Sequence, residues 1–285
     1  MSRPRELFRE VISRPACTLA ANIFDPLSAR IAHMLGYEVC VLSGSVGKVA
    51  NLGVPDIVLS NMSDVVDHCR RITRIADVSL MVDAEDGFGN AVNVTRTVRE
   101  MEAAGVSAIE IEDNFVPRRF NVSDPGLVST GEQVGKLEAA VAARSDPSTV
   151  IVARSAAFGL CSRDEALERL RAYSQTGAEA VMLTGVSSRE QIEEAHQATP
   201  LPLCVLNPPA DARSDQAFLD ANIRILMLGN PTYAVAVNAI HDALKLLQDG
   251  GALEDLAERQ ASPALLRRVN RTDDFIALQD RFLRE

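Results

Sequence analysis

Residues 80–112 read LMVDAEDGFGNAVNVTRTVREMEAAGVSAIEIE, and the pattern in this stretch decides the fold. It opens with a short apolar run, Leu80–Ala84, which predicts a buried strand. Asn90–Ala104 then changes to helical spacing, with Val92, Val98, Met101 and Ala104 on one side. Gly105 stops that helix as a C-cap residue, and Ala108–Glu112 reads as the next strand. The same rhythm returns downstream, where Ser162 or Asp164 caps a helix over Arg163–Thr176 and Gly177 ends it. Working outward, strands fall at Thr18–Ile23, Glu38–Leu42, Val150–Arg154, Ala180–Thr184, Leu203–Leu206 and Arg224–Leu228. Eight strand–helix units in this length favour an α/β fold closed as a (β/α)8 TIM barrel over an open doubly wound sheet.

Residues 3–13 predict an N-terminal helix, and the barrel occupies about 15–249 of a single domain, 1–285, with Ala234–Gln248 as its last helix. Gly250-Gly251 breaks the pattern. Beyond it, about 250–285, lies a C-terminal helical extension of two or three helices, one of them opened by Ser262-Pro263. Apolar residues make up 47% of the chain, with no Trp and three Tyr, so the core is aliphatic, as parallel strands covered on both faces require. The net charge of −10 repels phosphate backbones and argues against a nucleic-acid partner. A small anionic substrate is still admissible, because a metal and one arginine reverse the sign locally. Cys17, Cys40, Cys69, Cys161 and Cys204 are scattered without C-x-x-C spacing, which reads as reduced thiols in a cytoplasmic protein. The opening MSRPRELFREV has no apolar signal segment, and no run approaches the roughly 20 apolar residues of a membrane span.

Barrel enzymes carry their chemistry at the C-terminal ends of the strands. Those positions hold Ser43-Gly44-Ser45, then Asp83 with Glu85 and Asp86, Glu112-Asp113, Arg154, Asn207 and Gly229-Asn230. Several carboxylates converging on one spot need a cation, and oxygen ligands alone suit Mg²⁺, or Mn²⁺, over zinc. Gly87 and Gly89 would let the backbone turn sharply past such an ion. Taken alone, the acidic motif reads equally well as a solvated strand end; Glu112, Arg154 and the Ser-Gly-Ser turn tip the balance.

At this point the chain resembles the isocitrate lyase/phosphoenolpyruvate mutase superfamily. The resemblance rests on FDPLSARIA (24–32), LSGSV (42–46), LGVPD (52–56), VDAEDGFGN (82–90), IEIEDN (109–114), IVARS (151–155) and DEALERLRAYSQTGAEAVML (164–183). FDPLSAR and GEQVGKLEAAVAARSDP (131–147) are most similar to the oxaloacetate decarboxylase branch. The resemblance implies that Asp83 is the direct Mg²⁺ ligand, and that Asp56, Glu85 and Glu112 hold metal-bound waters. It implies that the Ser43, Gly44 and Ser45 turn cradles the carboxylate of a small 2-oxo acid, and that Arg154 grips the reacting end. It further implies a homo-oligomer, a tetramer assembled as a dimer of dimers. The expected reaction is Mg²⁺-dependent decarboxylation of oxaloacetate to pyruvate and CO₂ through a stabilised enolate.

Two departures bear on specificity. The carbon–carbon lyases of the superfamily carry a K-K/R-C-G-H loop after strand four, but here the loop reads NFVPRRFNVSDPG (114–126), without Cys or His. Where the decarboxylase branch has a substrate-contacting His at strand eight, this chain has Asn230. The alternatives are a phosphonate-processing enzyme (phosphonopyruvate hydrolase or phosphoenolpyruvate mutase) and a non-catalytic barrel that binds a 2-oxo acid. Plainer readings apply elsewhere. His33, His68, His196 and His241 fall in predicted helices and read as surface or packing residues. Cys161 reads as a structural thiol, Arg118-Arg119 as either a lid or a solvated loop, and Lys48 as a weak anion-binding candidate.

Overall fold

Nine short parallel strands form one sheet in a computed structural model that describes residues 3–118, 120–122 and 126–283. They are β1 (Thr18–Leu19), β2 (Ala21–Ile23), β3 (Val39–Leu42), β4 (Ser79–Asp83), β5 (Ala108–Glu112), β6 (Val150–Ser155), β7 (Ala180–Leu183), β8 (Leu203–Leu206) and β9 (Ile225–Met227). The first two are halves of one strand interrupted at Ala20. Thr18 and Leu19 pair with Ile225 and Leu226 of β9, whereas Ala21–Ile23 pair with Cys40–Leu42 of β3. The chain changes partner at Ala20, and that change closes the ring. The eight expected strands are all present, within two residues at each end.

Side chains alternate across each strand, so a barrel strand sends one set inward and the other toward the helices. In β5, Ile109 and Ile111 pack outward against Val94, Val98, Met101 and Leu137. Ala108 faces inward with Val41, Met81, Val152, Met182 and Met227. The helix Arg3–Ser13 closes the N-terminal end of the ring: Phe8, Val11 and Ile12 join the inward-facing residues there. Each fully buried side chain of this kind contributes roughly 1.5–3 kcal/mol. The interior of the ring at that end is therefore filled with apolar side chains.

The helix Ala91–Ala103 corrects one detail of the sequence reading. Val92 is 77% exposed, and Val94 and Thr97 occupy the buried face with Val98 and Met101. Asn90 caps the helix by accepting from Val92 N (2.9 Å) and Asn93 N (3.3 Å), which puts Val92 in the solvent-facing first turn. Ser162 caps the helix Arg163–Tyr173 through Glu165 N.

The chain divides into two compact units, Met1–Asn230 and Pro231–Glu285. The helix assigned from sequence to Ala234–Gln248 starts at Pro231 and falls in the second unit. That unit continues with a 3₁₀ turn, Leu253–Arg259, and two helices, Pro263–Val269 and Thr272–Phe282. Ser262 opens the first of these by accepting from Leu265 N at 3.2 Å. Among the described residues, no helix is long and apolar enough to cross a membrane.

Candidate active site

At the C-terminal end of the ring the inward positions turn polar. Asn22, Ser43, Asp83, Glu110 and Arg154 line a cavity of about 330 Å³ with Ser45, Asp56, Asn207 and Asn230, over an apolar floor that includes Val41, Met182, Leu206 and Met227. The register explains the grouping: Asp83 of β4 lies beside Glu110 of β5, and Glu112 lies beside Arg154 of β6.

Asp83, the last residue of β4, is held on three sides. Its Oδ1 accepts from Glu85 N at 2.9 Å, and its Oδ2 accepts from Gly44 N at 3.2 Å and from Arg154. Burial drives its pKa up, but Arg154, the Glu85 amide and Lys48 outweigh burial and hold it below the usual carboxylate range. Glu85 adopts a left-handed backbone (φ 52°), which costs a non-glycine residue roughly 1–2 kcal/mol, and its carboxylate feels the charge of Asp83. Gly87 completes the turn at φ 85°, where a Cβ would lie 2.4 Å from Val94. Gly44 is needed for space: a Cβ there would sit 2.8 Å from Glu85 Oε1 and 3.1 Å from Asp83 Oδ2.

Arg154 is the hub of the cluster. Besides Asp83, its guanidinium lies 3.6 Å from Glu110 and 3.2 Å from Glu112. One cation does not satisfy three carboxylates. Burial, with Asp83 nearby, pushes Glu110 up to about 7, and burial with several acidic neighbours pushes Glu112 up to about 8. Glu85 also rises to about 7, through burial and then the charge of Asp83, although Lys48 opposes the shift. Lys48 is ion-paired with Glu85 and lies 2.7 Å from Asp56.

The Ser43-Gly44-Ser45 turn starts the helix Gly44–Leu52, whose N-terminal partial charge suits an anion; the Gly44 N–H is already given to Asp83. Asn230 is tied to the turn: its Oδ1 accepts from Ser43 Oγ at 3.1 Å and its Nδ2 donates to Ser45 Oγ at 3.1 Å.

The structure therefore brings Ser43, Gly44, Ser45, Asp83, Glu85, Glu112, Arg154 and Asn230 to one end of the ring. Asp56 reaches the same cavity from a loop and stays exposed. Asp86, grouped with the acidic motif in the sequence, is engaged instead by Lys136, whose Nζ donates to its backbone O at 3.0 Å and its Oδ2 at 3.2 Å. Glu110 and Asn22 escaped the sequence reading, although the alternation in AIEIE puts Glu110 on the same face as Glu112. None of the four histidines lines the cavity: His33, His196 and His241 are exposed, and His68 is buried in the helix Met62–Thr73. Cys161 donates to Ala157 O and is also absent from the lining. Arg118 lies in the loop after β5, and Arg119 lies outside the described residues.

Among the described residues, no three acidic, histidine or cysteine side chains gather on one point as a ready-made metal cage. The chemistry of the donor set nonetheless suits a hard divalent ion. The donors are all oxygens, and Asp83, Glu85, Glu110 and Glu112 outnumber Arg154 and Lys48 even before Asp56 is counted. The raised Glu85, Glu110 and Glu112 record the same unbalanced charge.

The family model described as phosphoenolpyruvate phosphomutase matches residues 8–248. Oxaloacetate decarboxylase of Rhodopseudomonas palustris (strain BisA53) is 40% identical over 280 residues, covering 98% of this chain and 96% of that protein. The crystal structure of a phosphonopyruvate hydrolase complexed with oxalate and Mg²⁺ superposes with a TM-score of 0.86 at 28% identity, over the whole of both chains. A 2,3-dimethylmalate lyase of the PEP mutase/isocitrate lyase superfamily superposes at 0.84 with 26% identity, covering 99% of each chain. The fold, the polar mouth of the ring and these similarities agree: the chain belongs to the isocitrate lyase/phosphoenolpyruvate mutase superfamily.

Proposed function

We propose that this chain decarboxylates oxaloacetate to pyruvate and CO₂ with Mg²⁺, or Mn²⁺, as cofactor. One observation carries the reading: a guanidinium, the first turn of a helix and an excess of carboxylates meet around a cavity sized for a small 2-oxo acid. The similarity to oxaloacetate decarboxylase over nearly the full length supports it.

Asp83 would be the direct ligand of the cation, and Asp56, Glu85 and Glu112 would accept hydrogen bonds from its waters. When bound, a divalent ion supplies Lewis-acid stabilisation of the charge that develops on the 2-oxo oxygen. The Ser43–Ser45 turn, at the N-terminus of its helix, holds the carboxylate next to the keto group, and Asn230 fixes the two serine hydroxyls. Arg154 holds the departing carboxylate. The bond between that carboxylate and the neighbouring methylene breaks, CO₂ leaves, and the electron pair spreads onto the keto oxygen as an enolate. A proton from water then gives pyruvate. The step needs no general base, so a cavity without histidine is consistent with it.

A second reading has its own support. The likeness to phosphonopyruvate hydrolase favours a phosphonate substrate, whose tetrahedral head differs from a planar carboxylate. Purified protein assayed for CO₂ release from oxaloacetate and for phosphate release from phosphonopyruvate separates the two. CO₂ release that depends on Mg²⁺ is the expected result, and phosphate release without it would overturn the assignment. Silence in both assays, unchanged by Asp83→Ala, would leave a barrel that only binds its 2-oxo acid.

The same reading includes a cytoplasmic, homotetrameric protein built as a dimer of dimers. Val235, Ile240 and Leu244 are exposed along Pro231–Gln248, and Phe275 is exposed along Thr272–Phe282, an apolar surface suited to a second copy. Light scattering at several concentrations is expected to give the tetramer mass.

A further inference from the structure

Lys48 has no part in the reaction just described, yet it sits inside the site. It projects from the helix Gly44–Leu52, one turn beyond Ser45, and its side chain is only 2% exposed. A lysine is almost never buried to that degree unless carboxylates hold it. Here there are two, Asp56 at 2.7 Å and Glu85, and both belong to the set proposed to hold the waters of a divalent cation. Asp56 lies on an exposed loop with its own side chain 56% accessible, so the ammonium is what ties it to the end of β4. At this site two cations make the ion pairs with the carboxylates. Arg154 serves Asp83, Glu110 and Glu112, and Lys48 serves Glu85 and Asp56.

An ammonium and a hydrated divalent ion compete for the same carboxylate lone pairs and repel each other across a buried site, where screening is weak. We propose that Lys48 is a positioning residue that acts as a resident counter-cation. It holds Glu85 and Asp56 in place in the metal-free protein and, by like-charge opposition, keeps divalent-cation affinity low enough for exchange. This inference rests on the Mg²⁺-dependent reading above. A lysine that merely tethered the loop would have the opposite signature, because loosening Asp56 would weaken the metal or leave it unaffected.

The test is Mn²⁺ binding to the full chain, followed by electron paramagnetic resonance of the free ion, with thermal melts in the presence and absence of Mg²⁺. Lys48→Met, nearly isosteric and uncharged, is expected to bind Mn²⁺ about tenfold more tightly than the wild type. Lys48→Arg, which keeps the charge, is expected to stay within about threefold of it. Mg²⁺ is expected to raise the melting temperature of Lys48→Met more than that of the wild type. Equal or weaker Mn²⁺ binding by Lys48→Met overturns the proposal. If Lys48→Met does not fold, Lys48→Gln is read in the same way; failure of both at saturating Mg²⁺ also overturns it, since the metal should replace the missing charge. A wild-type protein that binds no Mn²⁺ sinks the Mg²⁺-dependent reading itself, whereas wild-type binding with no gain in the variants sinks only this inference.

Discussion

Glu102 and Glu112 are both buried glutamates of the barrel unit, and they titrate in opposite directions. Glu102 accepts from Ser145 N at 2.9 Å, Asp146 N at 2.9 Å, Thr149 Oγ1 at 2.8 Å and the Ser145 hydroxyl. Burial raises its pKa, but these donors more than compensate and hold it below the ordinary value. Arg5 of the N-terminal helix joins the group through Asp146 Oδ2 at 2.7 Å and Val106 O at 3.0 Å. Glu112 has a share of Arg154 and acidic neighbours, and rises to about 8. Burial alone does not mark a functional carboxylate. What separates the two is how many donors the protein provides, and at the open end of the ring it leaves that number short.

Two substitutions test this contrast in opposite senses. Asp83→Ala should lower kcat/KM by about 10³-fold or more while leaving the circular dichroism spectrum and melting temperature close to wild type. A variant that kept its turnover would make the upper cluster as structural as the lower one. Glu102→Ala should do the reverse, because the Ser145 and Asp146 amides and the Thr149 hydroxyl lose a buried acceptor. The expected loss is about 2–4 kcal/mol in denaturant unfolding, with kcat/KM of the folded protein unchanged within about twofold.

The contrast also shows how far the sequence could be read. Strand and helix periodicity carried the barrel, because alternation and 3.6-residue spacing are local properties: Ile109 and Ile111 must face helices if Ala108 faces the interior. Val92 was misread because a first-turn residue obeys the helix cap rather than the apolar stripe. The closing of the ring through Ala20 was not legible, since it depends on pairing between residues about 200 positions apart. At the site, residue types and strand-end positions gathered most of the cluster, whereas pairing was hidden. Nothing local says that Lys136 turns Asp86 away or that Lys48 takes Glu85 and Asp56. Glu110 was within reach of the same alternation argument that gave Glu112.

A third way to sharpen the comparison is pH. Glu85, Glu110 and Glu112 stay protonated in the metal-free fold to about 7, 7 and 8, against an ordinary 4.5. Between those values the unfolded chain has released protons that the fold retains, so stability falls as pH rises. The metal-free protein should melt at progressively lower temperature from pH 5.5 to 8. Asp83 and Glu102, with lowered values, act in the opposite sense but at more acidic pH. Saturating Mg²⁺, which needs ionised carboxylates, should flatten the slope and release protons on binding. A melting temperature that does not change over this range would mean that Glu85, Glu110 and Glu112 are better compensated than their contacts indicate.

The smallest expected effect belongs to Asn230, whose amide is bonded to the two serines of the turn. Its amide joins Ser43 and Ser45 across the mouth of the cavity, with Asn22 Nδ2 3.4 Å from its Oδ1. Asn230→Ala removes hydrogen bonds that are partly replaceable by water, which are worth about 1 kcal/mol in total. If the amide only fixes the serine hydroxyls around the substrate carboxylate, ground state and transition state lose the same interaction. KM should then rise about three- to fivefold with kcat unchanged. A fall in kcat at constant KM would instead mean that the link matters only as charge develops, which would make Asn230 part of the same underdonated end as Glu112.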